Sequence, residues 1–330
     1  MANISMMAAI NLALHEAMDA DKKVICVGED MSKKGGSWGY FAGPKYKLAE
    51  EFGEDRILDM PIAESGYSAM SVGMAIGGYR PVVEYMFADF STLGTEAIID
   101  MAAKLHFYSA KKNNAAITFI MPQGGGGRSG GHHSQSVEAW WTNVPGLKVV
   151  APTTPADVRA FLLASIKDDD PVVFIFQRAL LGSKGEVPDT PDTLPSLGNA
   201  GKIVKEGKDV TVVAYHRELN YAIEAAAEVE KETGRTVEII DPRVLVPFDK
   251  KLVADSVKKT GRLVVVHQAP TNGGYGNQII SYAMEEAATL MKANPKLIGS
   301  KNCVIPFGRP EDFIYPTKED IKNTIIEMIK

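Results

Sequence analysis

The sequence predicts an α/β fold with mainly parallel sheets, arranged as two domains. Short apolar runs of strand length alternate with longer amphipathic patterns of helix length, which is the order of elements in parallel sheets. The alternation stops once, at a proline- and glycine-rich stretch, and then resumes. A chain of 330 residues is long enough to give each of two domains its own core.

The first series of elements starts with a predicted helix. Ser5 precedes it as a cap, and Met6, Ile10, Ala13 and Met18 recur at near-helical spacing. Predicted strands follow at "KVICVG", "RPVVEYMF", "AAITFIM", "LKVVAP" and "PVVFIF". Predicted helices lie between them at "GYSAMSVGMAIGG", "STLGTEAIIDMAAKLHFYSA" and "TPADVRAFLLASIKD", the last with a threonine cap and a proline in its first turn.

The stretch "GSKGEVPDTPDTLPSLGNAG" lacks apolar periodicity and predicts the connection between the domains. The expected domains are 1–185 and 201–330, joined by a linker at 186–200. The second series reads "DVTVVAY", "ELNYAIEAAAEVEKETG", "TVEIID", "DKKLVADSVKKTG", "RLVVVH", "YGNQIISYAMEEAATLMKA" and "CVIP", again alternating strand and helix.

Composition excludes several classes of function. The net charge of −5 leaves no basic excess for binding nucleic acid. No apolar run approaches the roughly 20 residues that span a bilayer, and the first residues lack the pattern of a signal peptide. Two distant cysteines, Cys26 and Cys303, exclude a cysteine-based zinc site and favour a reducing compartment, so we expect a cytoplasmic protein.

The loop "MPQGGGGRSGGHHSQS" suggests a nucleotide or metal site, but its context supports neither. Its G-x-G-x-x-G lacks a following glycine-packed helix and a later acidic strand end, and no Gly-Lys-Ser/Thr occurs. The adjacent histidines lack the usual spacing of zinc ligands. So much glycine indicates a backbone that something approaches closely.

A lone glutamate, Glu64, precedes a helix rich in small residues in "DMPIAESGYSAMSVGMAIGG". Two interpretations remain open from the residues alone. The carboxylate could simply be favoured by the helix dipole. Alternatively, it is buried beside a ligand and shares a proton with a ring nitrogen.

Eight motifs in order resemble the β subunit of thiamine-diphosphate-dependent 2-oxo acid dehydrogenases, the family of the pyruvate, branched-chain 2-oxo acid and acetoin enzymes. They are "GED", "DMPIAE", "RPVVEYMFADF", "AAK", "HHSQS", "PGLKVVAPTTPAD", "DDDPVVF" and "IDPRVLVPFD", and together they cover nearly the whole chain. The resemblance implies a transketolase-like chain: a pyrimidine-binding domain followed by a transketolase C-terminal-like domain.

The resemblance also implies roles for particular residues. Glu64 matches the glutamate that binds N1′ of the cofactor's aminopyrimidine, and His133 matches the histidine that handles protons during decarboxylation or acyl transfer. The backbone at Ile62 would line the pyrimidine pocket, and Phe90 occupies the stacking position. Further matching positions are Phe87, which either seats the ring or packs in the core, and Glu29 and Glu96, which either belong to an acidic path between active sites or are solvated charges.

The same resemblance implies cofactors and partners. A potassium ion would be bound largely by main-chain carbonyls at Ile117, Ser165, Ile166, Asp168 and Asp170. Mg²⁺ and the diphosphate need a Gly-Asp-Gly motif, which this chain lacks, so an α subunit would supply it in an α/β heterotetramer. The acyl acceptor would be a lipoyl-bearing acyltransferase core component.

The expected activity is oxidative decarboxylation of pyruvate or a related 2-oxo acid, or acetoin cleavage, with acyl transfer to lipoamide. A split transketolase-like enzyme and a non-catalytic scaffold subunit are the alternatives. The chain departs from the family in a longer segment at 36–56 and in Gln268, where relatives often have Glu; the substrate and the acceptor stay open.

Overall fold

The computed structural model describes residues 1–43, 45–189 and 193–330. Part of the predicted linker, residues 190–192, and Pro44 in the longer segment lie outside the described residues. Within this part of the chain, no helix is long and apolar enough to cross a membrane. The residues divide into two compact units, Met1–Gln123 with Trp140–Leu197, and Gly124–Ala139 with Gly198–Lys330.

The first unit is built on a parallel sheet. Its strands are β1 (Ala2–Ser5), β2 (Val24–Gly28), β3 (Ile57–Asp59), β4 (Arg80–Glu84), β5 (Thr118–Gln123), β6 (Lys148–Val150), β7 (Val172–Gln177) and β8 (Lys184–Val187). Six of them lie side by side in the order β6-β7-β5-β4-β2-β3, with every pair parallel. β1 and β8 form a separate antiparallel pair, which the sequence did not indicate.

The helices of this unit are α1 (Met6–Ala20), α2 (Met31–Lys34), α3 (Leu48–Phe52), α4 (Glu64–Ile76), α5 (Ala103–Tyr108) and α7 (Pro155–Lys167), and α6 (Glu138–Thr142) spans the change of unit. The predicted caps are confirmed: Ser5 accepts from the Ala8 N–H at 3.2 Å and Thr154 from the Asp157 N–H at 3.1 Å. The predicted buried face of α1 is also confirmed, since Met6, Ile10, Ala13 and Met18 are fully buried.

The single helix predicted at 91–110 is wrong, because the structure has three consecutive pieces. A 3₁₀ helix (Ala88–Gly94) and a π-helical turn (Ala97–Ala102) precede α5. Hydroxyls compete for the backbone in this stretch: Thr92 donates to the Asp89 carbonyl at 3.0 Å and Thr95 to the Thr92 carbonyl at 2.7 Å. Such bonds favour irregular turns over a continuous α-helix.

The second unit has its own sheet and core. Its elements are β9 (Lys202–Lys205), β10 (Val210–Ala214), α8 (Arg217–Thr233), β11 (Val237–Asp241), β12 (Val244–Val246), α9 (Lys250–Thr260), β13 (Leu263–Pro270), α10 (Gly276–Ala287), β14 (Lys296–Ser300) and α11 (Lys318–Ile329). The sheet order is β14-β13-β10-β11-β9, parallel except for β9. α8 and α11 bury apolar faces with β10, β11 and β13.

The strand predicted at "CVIP" is wrong, since residues 303–306 have no regular structure and the edge strand is β14. Val304 is 87% exposed, so the short apolar run does not form part of the core. Pro306 cannot donate to a ladder, and the Cys303 N–H is held in a turn by the Lys301 carbonyl at 2.9 Å.

Candidate active site

The predicted cofactor-binding residues of the first unit follow the carboxyl ends of three neighbouring strands. Glu29 comes directly after β2, Ile62 and Glu64 come after β3, and Phe87 and Phe90 come after β4. In an open parallel sheet the carboxyl ends of the strands share one edge, where ligands usually bind. β3, β2 and β4 are adjacent, so these residues emerge along one part of that edge.

Glu64 is a buried carboxyl group at the first position of α4. Its exposed fraction is 4%, whereas Ile62, two residues earlier, is 84% exposed. The position agrees with both interpretations of this residue, because a helix N-terminus favours a carboxylate and burial keeps water from it.

Glu29 lies close enough to Glu64 for the two charges to repel. Burial and the Glu64 charge raise the pKa of Glu29, while a hydrogen bond from the Tyr67 hydroxyl opposes the rise. Glu29 is 6% exposed, and its Oε1 has no hydrogen-bond partner among the described residues. This edge of the sheet therefore holds two buried carboxyl groups, one with a free acceptor atom, which suits binding of a polar heterocycle.

Glu84, the last residue of β4, is a third buried carboxyl group that the sequence analysis missed. Burial raises its pKa to about 8, and the Glu29 charge adds to the rise; hydrogen bonds from the Tyr40 hydroxyl and the Ser37 N–H oppose it. The sequence could have indicated it, because Glu84 is the one charged residue inside the apolar run "PVVEYMF". It attaches the segment containing Ser37 and Tyr40 to the sheet.

Phe87 and Phe90 belong to an aromatic cluster. Their rings meet edge to face with centroids 5.5 Å apart, and Trp38 meets Phe87 edge to face at 5.2 Å. The Arg178 guanidinium lies over Phe87 at 4.8 Å and over Trp38 at 5.1 Å. Phe87 and Phe90 are half-buried, so ring surface remains for a ligand to stack on.

Trp38 comes from the segment at 36–56, for which the sequence analysis predicts a greater length than in the family. Its Nε1 donates to the Met86 carbonyl at 2.7 Å, which fixes the indole against Phe87. A cavity of about 400 Å³ opens beside it, lined also by Asp30, Lys34 and Ser37. The segment at 36–56 thus forms one wall of a cavity next to Phe87, a predicted cofactor-binding residue.

The predicted histidine lies in the second unit, on the glycine-rich loop. His132 is exposed and His133 is half-buried, and the His133 N–H donates to the Gly130 carbonyl at 3.2 Å. Gly126 and Gly130 have φ of +106° and +76°, values that side chains rarely adopt, so the glycines are required by the path of the loop. Glu96, the weaker acidic candidate, is exposed.

The predicted potassium positions gather where β5, α7 and β7 meet. Arg80 Nη1 donates to the carbonyls of Ile166 at 3.2 Å and Asp168 at 3.0 Å, and the Ile117 carbonyl accepts the Val172 N–H at 2.9 Å. Each carbonyl keeps a second lone pair, so main-chain oxygens remain for a monovalent ion. The carboxylates of Asp168 and Asp170 are neutralised by Lys148, at 2.7 and 3.0 Å, and are poor candidates for ligands.

No group of three or more His, Cys, Asp or Glu side chains that could bind a metal occurs in the part of the chain that the structure describes. A divalent ion with a diphosphate needs such oxygen ligands. The edge of the first sheet offers burial and aromatic rings, whereas the described residues offer no such cluster for a divalent ion.

Two family descriptions match the chain. "Transketolase, pyrimidine binding domain" matches residues 2–184, and "Transketolase, C-terminal domain" matches residues 199–321. A split-gene transketolase, solved as an inactive β4 tetramer, superposes with a TM-score of 0.75 over 99% of both chains at 24% identity, which supports the fold. The predicted transketolase-like fold class is confirmed.

Curated relatives are more similar in sequence. The chain is 36% identical to the β subunit of acetoin:2,6-dichlorophenolindophenol oxidoreductase from Bacillus subtilis, over 99% of this chain and 97% of that one. It is 37% identical to the pyruvate dehydrogenase E1 component β subunit of Acholeplasma laidlawii, over 100% and 99%. The corresponding Rhizobium meliloti subunit is 38% identical over 93% of this chain, which spans 65% of that longer protein.

Proposed function

Since this chain belongs to the transketolase-like family of E1-component β subunits, we propose that it is the β subunit of a thiamine-diphosphate-dependent decarboxylating enzyme. The substrate is pyruvate, a related 2-oxo acid or acetoin, and the acyl group passes to lipoamide. The observation that carries the proposal is the buried Glu64 at the carboxyl edge of the first sheet, next to Glu29 and the exposed Ile62.

Thiamine diphosphate, when bound, supplies the carbon nucleophile that cleaves the substrate. Glu64 would share a proton with N1′ of the cofactor's aminopyrimidine ring, and its burial would keep water from that hydrogen bond. Phe90, Phe87 and the backbone at Ile62 would hold the ring. Glu29 is the neighbouring carboxyl group, whose pKa is raised by burial and by the Glu64 charge.

His133 is the second functional group. Imidazole changes charge near neutral pH, so it can deliver or accept a proton at the acyl group during decarboxylation or during its transfer to the lipoyl arm. The glycine-rich loop supports this role, because it presents the half-buried His133 on backbone that carries few side chains of its own.

An α subunit completes the enzyme as a heterotetramer and binds the diphosphate and Mg²⁺, for which this chain has no Gly-Asp-Gly motif. The names of the curated relatives as β subunits support an α partner. The lipoyl-bearing acyltransferase core is the second partner. Two free cysteines support a cytoplasmic location, which cell fractionation would test.

Substitution of Glu64 by Gln tests the proposal directly. In the assembled α/β enzyme, Glu64→Gln should lower kcat for decarboxylation roughly 10²- to 10⁴-fold, the usual contribution of a positioned acid–base group. The assay covers a panel of 2-oxo acids and acetoin, with and without thiamine diphosphate. Glu186→Gln, an exposed position on β8, is the matched control and should keep full activity. Full activity of Glu64→Gln in a folded enzyme would refute the proton-sharing role.

A further inference from the structure

The loop that carries His133 is closed at its base by the main chain. We call residues 124–136 the His133 loop. It leaves the end of β5, and the Gly124 N–H donates to the Gln135 carbonyl at 2.9 Å. Its glycines give the loop little stiffness of its own, so other residues must determine where His133 lies.

One buried side chain binds both ends of this loop. Gln268, near the end of β13, is 4% exposed, and its Oε1 accepts the Gly125 N–H at 2.7 Å. The same oxygen accepts the Ser136 hydroxyl at 3.4 Å, a longer and weaker bond. Gly125 is buried, so removal of this amide would take the hydrogen-bond acceptor away from its N–H.

Glu218 fixes the orientation of the Gln268 amide. It is fully buried at the start of α8, and its Oε1 accepts from Gln268 Nε2 at 3.3 Å. An ionised carboxylate only accepts, so it holds Nε2 on its own side and turns Oε1 towards the loop. A flipped amide would place two acceptors against each other and two donors against each other.

The charged groups around Glu218 have opposite effects on its pKa. Burial raises its pKa to about 7 and the Glu138 charge adds to the rise, while the Arg217 guanidinium, 3.6 Å away, favours the ionised form. Glu138 in turn accepts the Tyr215 hydroxyl at 2.8 Å.

The middle of the loop is held differently, by the chain that precedes α11. Glu311 accepts the Gly126 N–H at 2.6 Å, Arg128 pairs with Asp312 at 2.7 Å, and the Tyr315 hydroxyl donates to the Ser134 carbonyl at 3.4 Å. These contacts hold single points along the loop. Gln268 alone among the side chains in these bonds spans its two ends.

We propose that Gln268 is a positioning residue for catalysis, which sets the place of His133 by tying both ends of the His133 loop to β13 in an orientation imposed by Glu218. The inference rests on the function proposed for His133. It assigns a role to the residue at which this chain departs from the family, where relatives often have Glu.

The first test replaces the amide by an apolar side chain of similar size. In the assembled enzyme, Gln268→Met should lower kcat roughly 10- to 100-fold, the cost of a misplacement of about 1 Å. The thiamine diphosphate concentration for half-maximal activity should stay unchanged, because the residues proposed to bind the ring belong to other strands. Amide hydrogen exchange across 124–136 should be faster. Gln278→Met, an exposed position on α10, is the matched control.

The second test uses Gln268→Glu, which keeps the acceptor and removes the donor. The introduced carboxyl group faces Glu218 and the two must share one proton, so the folded enzyme binds that proton more tightly than separate carboxyls would. The hydrogen bond between the two carboxyl groups is therefore kept at low pH and lost as pH rises. We expect the variant to approach wild-type kcat at acidic pH and to lose activity above neutrality more steeply than the wild type. A purely structural role would give no such difference between pH profiles.

The outcomes distinguish this proposal from the proposed function. If His133→Ala is inactive, the proposed function stands. In that case, unchanged hydrogen exchange in Gln268→Met, or a pH profile of Gln268→Glu that parallels the wild type, would overturn the positioning role alone. Full activity of His133→Ala would overturn the role of His133 and with it the catalytic meaning of Gln268. If Gln268→Met does not fold, Gln268→Glu and the milder Ser136→Ala give the same exchange measurement.

Discussion

Three carboxyl groups, Glu29, Glu64 and Glu84, are each less than a tenth exposed at one edge of the first sheet. No cation is paired with them by a hydrogen bond or ion pair in the described contacts; their partners are hydroxyl and backbone groups. Burying carboxyl groups without cations favours their protonated forms. Burial accordingly raises the pKa of Glu29 and the pKa of Glu84 above their usual values.

Glu84 should make the stability of the protein depend on pH. Its folded-state pKa of about 8 is above the unfolded value, so the folded form binds the proton more tightly. The free energy of unfolding should then fall as pH rises from about 4.5 to about 8, by at most about 1.4 kcal/mol per pH unit from this group. Glu84→Gln should flatten that slope in urea denaturation at a series of pH values.

Tyr40→Phe is the matched variant for this measurement. The Tyr40 hydroxyl stabilises the ionised form of Glu84, so its loss should extend the slope to higher pH. An unchanged slope in Glu84→Gln would show that Glu84 does not retain its proton in the folded protein.

Strands and helix caps could be predicted from local sequence. Interruptions of helices, and side-chain contacts between distant parts of the chain, could not. The runs that became β2, β4, β5, β7, β10 and β11 are mostly apolar, as burial on both faces of a parallel sheet favours. The run "CVIP" is equally apolar but lies on the surface, and only tertiary contacts distinguish the two cases. The irregular helix around Ser91 depends on hydroxyl groups bonding to carbonyls within one turn.

The site residues show the same division. The roles of Glu64 and His133 follow from the family motifs that surround them in the sequence, and they stay predictions. Gln268 and Glu218 could not be assigned roles, because their contacts with Gly125 and with each other join positions 50 or more residues apart. Glu84 is intermediate: its charge inside a strand pattern was visible, but its partner Tyr40 lies 44 residues away.

The junction of β5, α7 and β7 should respond to potassium. We propose that an ion there is bound by the main-chain oxygens of Ile117, Ser165, Ile166 and Asp168, with Asp170 contributing at most its backbone. Thermal unfolding in potassium chloride should then occur at a higher temperature than in choline chloride of equal ionic strength. Equal melting temperatures in the two salts would rule out a stabilising ion at this junction.

At the scale of the whole molecule, the proposed function gives this chain one part of a cofactor site. The carboxyl edge of the first sheet provides burial, carboxyl groups and aromatic rings, which suit the pyrimidine ring. The part of the chain that the structure describes provides no cluster of metal-binding carboxylates for a diphosphate-bound cation. An enzyme built this way depends on a partner chain for the charged end of its cofactor.

The most direct measurement is thiamine-diphosphate-dependent decarboxylation by this chain alone, by its α subunit alone, and by the two combined. We predict activity only in the combined sample, with a stable α/β assembly in sedimentation and loss of activity in Glu64→Gln. Decarboxylation by this chain alone, at the rate of the combined sample, would contradict a cofactor site shared between two subunits.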